Sequence, residues 1–261
     1  MTDTDELLYE QRGSAGWVTL NRPQARNALT FEMYEGLARI CGSIPDDGSI
    51  RSIVITGAGE KAFAAGTDMR QFRDFSSAQD AIDYEQRMSR VLQTIEACPV
   101  PTIAAISGAC TGGGAGIAAT CDIRIATADL KFGFPIARTL GNTLSIDNLS
   151  RMASLIGAGR VKEAIFTAKL LGAEDALAIG LISEIVPDHA ALVERAGELT
   201  ELMASHAPIT LRTIKEGLRR LRVHGAGADG RDLIVEAYTS EDFREGMEAF
   251  LGKRKPEWKG R

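Results

Sequence analysis

The residues with the clearest chemical promise offer backbone rather than side chains. Thr111-Gly112-Gly113-Gly114-Ala115-Gly116 stands between an apolar run, Thr102–Ile106, and an alanine-rich stretch. Three consecutive glycines weaken local structure. They are explained by close ligand approach, with N–H groups at a helix N-terminus aimed at negative charge. Ala64-Ala65-Gly66-Thr67-Asp68 has the same character, small residues after a buried-looking strand and before a helix. Two such turns in successive strand-turn-helix units can converge and present two N–H groups to one oxyanion. Phosphate sites fit less well. No lysine follows Gly114 as a P-loop requires, and a dinucleotide fingerprint needs spaced glycines near the N-terminus.

The surrounding pattern supplies the elements that must position these turns. Strands are expected at Leu7–Arg12, Gly16–Leu20 and Ile50–Thr56, with an amphipathic helix from the Asn27–Thr30 region to about Ile44. Asp68 reads as a helix cap. A polar helix runs from about Ala78 to Ala97, closed by Pro99. After the glycine run come a short strand at Ile123–Ala126, helices over 153–172 and 173–179, and a strand at Leu181–Val186. From Asp188 onward the pattern is helical. Strand-helix units with a helical tail give an α/β class, divided into a core over 1–195 and a C-terminal helical appendage over 196–261 that serves either for oligomerisation or as a packed terminal subdomain.

Composition narrows the function. The 261 residues are 44% hydrophobic and 25% charged, with a net charge of −5, as expected of a soluble globular chain without a nucleic-acid-binding face. Lys253, Arg254, Lys255, Lys259 and Arg261 form a local basic cluster. The acidic start, Met1–Glu6, does not read as a signal peptide, and no run approaches a membrane span. A cytoplasmic location is expected. Four cysteines and three late histidines lack metal-ligand spacing, so no metal site is expected, and Cys110 and Cys121 read as packing residues.

Several motifs together resemble the crotonase family, the enoyl-CoA hydratase/isomerase superfamily. They are Asn21-Arg22-Pro23 with Asn27-Ala28-Leu29, the segment Ala62–Asp68, Gly108 with Gly112–Gly114 and Cys121-Asp122-Ile123, and Ala176 with Gly180-Leu181-Ile182. The tail Glu241–Phe250 with Lys253–Lys255 joins them. They occur in the family's order over nearly the whole chain. The resemblance implies a crotonase-like spiral of ββα units, a C-terminal trimerising region giving a homotrimer or dimer of trimers, and a coenzyme A thioester as substrate with no permanently bound cofactor. It implies that the N–H groups of Thr67 and Gly113 grip the thioester oxygen, where enolate charge develops. One such donor is worth about 10²–10³ in rate. Backbone donors make the side chain at Thr67 secondary. The segment Thr67-Asp68-Met69-Arg70 would lie along the adenine and pantetheine, with Ala65 a further coenzyme-binding residue and Arg26 and the basic tail, including Lys253, as partners for the phosphates.

The chain departs from the family where protons are moved. Family hydratases use two glutamates, and their positions here fall on Gly116 and Ile136. Neither moves a proton. The polar stretch 137–147 offers substitutes: Asp147 for proton transfer, Arg138 for a substrate carboxylate, and Asn142 and Ser145 to orient water or substrate. The nucleophilic Asp of a dehalogenase branch falls near Thr143. Tyr84 and Glu85, on the helix after the first turn, are candidates to face the acyl pocket. The expectation is an acyl-CoA enzyme other than an efficient hydratase, performing isomerisation, decarboxylation or thioester cleavage. The alternatives are a conventional hydratase or isomerase with a relocated acid, and a non-catalytic acyl-CoA-binding protein.

Overall fold

The computed structural model describes residues 5–73 and 75–261. The first four residues of the acidic segment read above as no signal peptide lie outside these. Among the described residues no helix is long and apolar enough to cross a membrane.

The first half of the chain alternates strands and helices: β1 Leu7–Arg12, β2 Ala15–Leu20, α1 Phe31–Gly42, β3 Ser52–Gly57, β4 Ala62–Ala64, α2 Ala78–Glu96, β5 Thr102–Ile106, β6 Ala109–Thr111 and α3 Gly113–Thr120. Then follow β7 Ile123–Thr127, β8 Lys131–Gly133, α4 Ile136–Thr139, α5 Ile146–Thr167, α6 Ala173–Ala178 and β9 Glu184–Val186. The chain closes with α7 His189–Ala204, α8 Pro208–His224, α9 Arg231–Thr239 and α10 Glu241–Leu251.

Strands sort into a six-stranded sheet, β1-β2-β3-β5-β7-β9, and a three-stranded sheet, β4-β6-β8. All pairings except β1–β2 are parallel. The first unit, β1-β2-α1, gives both strands to the large sheet, and each of the next three gives one strand to the large sheet and the next to the small one before its helix. This is the expected spiral of ββα units. The central strands of the large sheet are buried on both faces, which is why β3 and β5 read as continuous apolar runs, whereas edge strand β1 is largely exposed. Leu20, Ile53, Ile55, Ala104 and Ile106 pack toward α1, α2 and α3. Trp17, Val54, Ile103, Ala105 and Ile125 face the other way onto Leu192, Ala196, Leu199 and Met203 of α7. The boundary expected at 195/196 thus falls inside a helix that packs as one piece on the sheet.

Other boundaries shift for local reasons. The strand expected from Leu181 begins only at Glu184, because the N–H groups of Leu181 and Ile182 bond back to the Ala176 carbonyl after α6. The helix expected over 153–172 begins at Ile146, where Ser145 caps it by accepting from the Asn148 N–H. It is interrupted at Gly157 and ends where Ala168 turns left-handed. The four cysteines are buried and unpaired.

Candidate active site

The site follows from the small sheet. β4 and β6 are parallel neighbours, with Ala62 opposite Ala109 and Ala64 opposite Cys110, so the segments that follow them leave the same sheet edge. β8 pairs with β6 and delivers Phe134, Pro135 and Ile136 to that edge as well. Loops at the carboxyl ends of parallel strands are the usual place for a ligand. Here they surround a cavity of about 310 Å³.

Two backbone N–H groups at this edge have no internal partner among the described residues. Gly113 opens α3, and the first N–H groups of a helix have no intrahelical acceptor. Its cap, Gly112, takes φ +52° and offers no side chain to compete for them. Thr67 sits opposite Leu29 in a parallel bridge that uses the Gly66 carbonyl (2.8 Å) and the Asp68 N–H (2.8 Å). The N–H of Thr67 therefore points away from the bridge. The two loops touch: a Cβ on Gly112 would lie 3.4 Å from Gly66 Cα. Gly113 is required by its neighbours, because a Cβ there would stand 1.9 Å from Tyr34 Oη.

The Thr67 loop is held by the segment 22–29. Ala65 N–H donates to the Arg26 carbonyl (3.0 Å). Asn27 Nδ2 donates to the carbonyls of Ala62 (2.7 Å) and Ala58 (3.0 Å). Arg22 donates to the Ala28 carbonyl and to Asp68 Oδ2 (3.0 Å). Asp68 also caps the turn after it and binds Arg70 at 2.6 Å. The side-chain hydrogen bond from Arg70, opposed by burial and helped by Arg70's backbone N–H and by Arg22, holds the Asp68 carboxyl far below the usual range.

The cavity walls combine apolar and hydroxyl groups. Met69, Phe72, Met88, Leu92, Phe134, Ile136, Leu140 and Leu144 supply apolar surface. Tyr34 Oη lies 2.9 Å from Thr67 Oγ1, which lies 3.4 Å from Tyr84 Oη. The Thr67 side chain, read as secondary, is thus the middle of a hydroxyl chain. Burial, the largest cause, and neighbouring charge raise the pKa of both tyrosines despite the lowering effect of the Thr67 hydrogen bonds, so they remain protonated at neutral pH. Tyr84 is fixed among Phe31, Phe72 and Phe75, with ring centroids 5.8, 4.8 and 5.9 Å away.

The structure brings Ala65, Thr67, Met69, Gly113, Gly116 and Ile136 to this cavity, along with Tyr84, Glu85, Asn142 and Thr143. It does not bring Asp147, Arg138, Arg26, Asp68 or Lys253 to the lining. Asp147 lies in the first turn of α5 and turns to Arg151 (2.8 Å) and Arg222 (2.6 Å), which also hold Glu96. Burial raises its pKa, but the Arg222 hydrogen bond and the charge of Arg151 outweigh this, and the carboxyl is held below the usual range. A carboxylate so engaged is a poor proton acceptor. Ser145 is spent on capping α5. Arg138, Arg26 and Lys253 are exposed. Asp68 is buried in the clamp. Sequence reasoning missed Tyr34, whose fully apolar helix face gave no sign that its hydroxyl reaches Thr67.

The chain has counterparts in sequence and in fold. The sequence profile described as Enoyl-CoA hydratase/isomerase matches residues 10–261. The chain is 33% identical over 258 residues to a short-chain-enoyl-CoA hydratase of Clostridium acetobutylicum, covering 98% of each. It is 31% identical over 264 residues to a crotonyl-CoA hydratase of Syntrophomonas wolfei, covering 96% of each. Among solved structures, an enoyl-CoA hydratase/carnithine racemase from Magnetospirillum magneticum aligns with a TM-score of 0.89 at 33% identity, over 99% of this chain and 97% of that one. An enoyl-CoA hydratase from Bacillus anthracis aligns at 0.86 and 32% identity, over 98% and 100%. With matches of this extent in sequence and in fold, the chain belongs to the enoyl-CoA hydratase/isomerase family.

Proposed function

We propose that this protein binds an acyl-CoA thioester, holds its carbonyl oxygen between the N–H groups of Thr67 and Gly113, and works through the resulting enolate without being an efficient hydratase. One observation carries the reading: two unpaired backbone donors stand beside an apolar cavity in which the positions expected to hold glutamates are Gly116 and Ile136. Preorganised donors lower the energy of negative charge that develops on oxygen, and a helix N-terminus adds to this field. Thioester polarisation makes the α-proton removable. Adding water across a double bond asks for more: one group to deprotonate the water and another to deliver a proton, each worth about 10²–10⁴.

The test is hydration of crotonyl-CoA, followed by loss of the enoyl absorbance, alongside calorimetric titration of the same thioester. Binding with hydration several orders of magnitude below ordinary enzyme turnover is the expected result. Rapid hydration overturns the reading. The names of the relatives favour coenzyme A as the carrier, and the apolar lining favours an acyl chain over a polar head. Permanent cofactors have no role in this chemistry, since the thioester itself supplies the electron sink.

A further inference from the structure

Among the described residues, Glu85 presents the only carboxylate in the cavity lining. It lies on α2 with Met88 and Leu92 at i+3 and i+7, the spacing of a single helix face. Those two residues are 5% and 4% exposed, so Glu85 occupies an apolar face. It is half-buried, and among the described residues no hydrogen bond or ion pair engages it. Most other carboxylates on buried or half-buried faces are paired: Glu35 with Arg87, Glu96 and Asp147 with Arg151 and Arg222, Asp68 with Arg22 and Arg70. A half-buried carboxylate without a partner destabilises the fold, and a site that uses the group accounts for its presence.

The preceding residue ties this stretch of α2 to the donors, because Tyr84 Oη reaches Thr67 Oγ1 at 3.4 Å. The opposite wall has been cleared. A Cβ on Gly116 would meet only Leu92 Cδ1, at 3.7 Å, so the space a longer side chain would fill is open between α3 and α2. We infer that Glu85 is the proton-transfer residue of this site, and that the reaction it supports is a 1,3-proton shift converting a 3-enoyl thioester to its 2-enoyl isomer. This rests on the acyl-CoA reading above and adds the missing proton carrier to it.

The chemistry balances with one carboxylate. Glu85 takes the C2 proton, and the electron pair of the C2–H bond flows to the thioester oxygen held by Thr67 and Gly113. The carbonyl then re-forms, the C3–C4 double bond becomes C2–C3, and Glu85 returns the proton to C4. Nothing is gained or lost overall, so no second acid or base is required, and the absence of glutamates at 116 and 136 is not a defect for this reaction. Burial raises the Glu85 pKa, which brings it closer to operating pH and strengthens it as a base. The other titratable groups of the lining are Tyr34 from α1 and Tyr84 from α2, both held protonated. Arg70 and Arg87 nearby are committed to Asp68 and Glu35.

The experiment follows the conversion of trans-3-hexenoyl-CoA by the rise of the conjugated 2-enoyl absorbance, with calorimetric binding of the same thioester, for wild type, Glu85→Gln and Glu85→Asp. Wild type is expected to form the 2-enoyl isomer. Glu85→Gln should lose about 10²–10⁴ in rate, with binding changed less than threefold. Glu85→Asp keeps the carboxylate and should fall between them. The wild-type pH profile should rise through an apparent pKa above the ordinary glutamate value of about 4.3, and Glu85→Gln should lack this limb. Isomerisation retained in Glu85→Gln overturns the role of Glu85 and leaves the acyl-CoA reading standing. Wild-type binding without isomerisation also overturns it. Failure of wild type to bind the thioester overturns both. If Glu85→Gln fails to fold, the pH limb of wild type and the partial rate of Glu85→Asp decide the matter, and a profile flat between pH 4 and 8 would falsify the assignment.

Discussion

Gly113 and Gly116 lie three residues apart on one helix and answer to opposite constraints. At Gly113 a methyl group would be driven into Tyr34 Oη, and Tyr34 is buried and hydrogen-bonded, so the helix start must move. Gly113→Ala is therefore expected to cut turnover by at least the worth of one donor, about 10²–10³. At Gly116 the added methyl finds ordinary contact distance, and a helical glycine replaced by alanine gains roughly 0.5–1 kcal/mol. Turnover assays and denaturant titration of the two variants check the contrast, and equal loss in both would refute it. At this scale the sequence was partly readable. Small residues flanking Thr67 and Gly113 announce a backbone site by their type alone. Glu85 gives a weaker signal, its i, i+3, i+7 relation to Met88 and Leu92, which becomes visible only once the buried face of α2 is known. Asp147 misled because a helix start says nothing of Arg222, 75 residues away in sequence, whose guanidinium claims it.

At the scale of elements, long apolar runs such as β3 and β5 were legible because burial on both faces leaves an unbroken pattern. The small sheet was not. β4, β6 and β8 have three residues each, too short to display any periodicity, and they register as loop until their neighbours are known. Yet these strands set the geometry of the site, since their parallel pairing sends three loops to one edge. The motif Asn21-Arg22-Pro23 with Asn27-Ala28-Leu29 marks the family by resemblance, and its physical role emerges only in the fold. Buried Asn27 and Arg22 stitch the Thr67 loop through side-chain bonds to main-chain carbonyls, work that spacing in one dimension does not reveal.

For the whole molecule, the C-terminal helices leave a surface that one chain does not cover. Leu218 and Leu221 of α8, Ile234 and Val235 of α9, and Phe250 and Leu251 of α10 are all more than half exposed. Exposed apolar side chains in such number are what an association surface would cover. The homotrimer implied by the resemblance predicts a sedimenting species of three times 28.0 kDa, or six times for paired trimers. A persistent single-chain species at micromolar concentration would refute it. The two donors of the site belong to successive windings of the spiral, so neither alone makes a grip and an unfolded chain has none. Substrate thioester is then a ligand of the native state only, and linkage converts occupancy into stability. At a hundred times its dissociation constant it should add about 2.7 kcal/mol to unfolding. Thermal denaturation with and without thioester would register that gain in wild type, and a Gly113→Ala chain, its second winding displaced, should forfeit most of it.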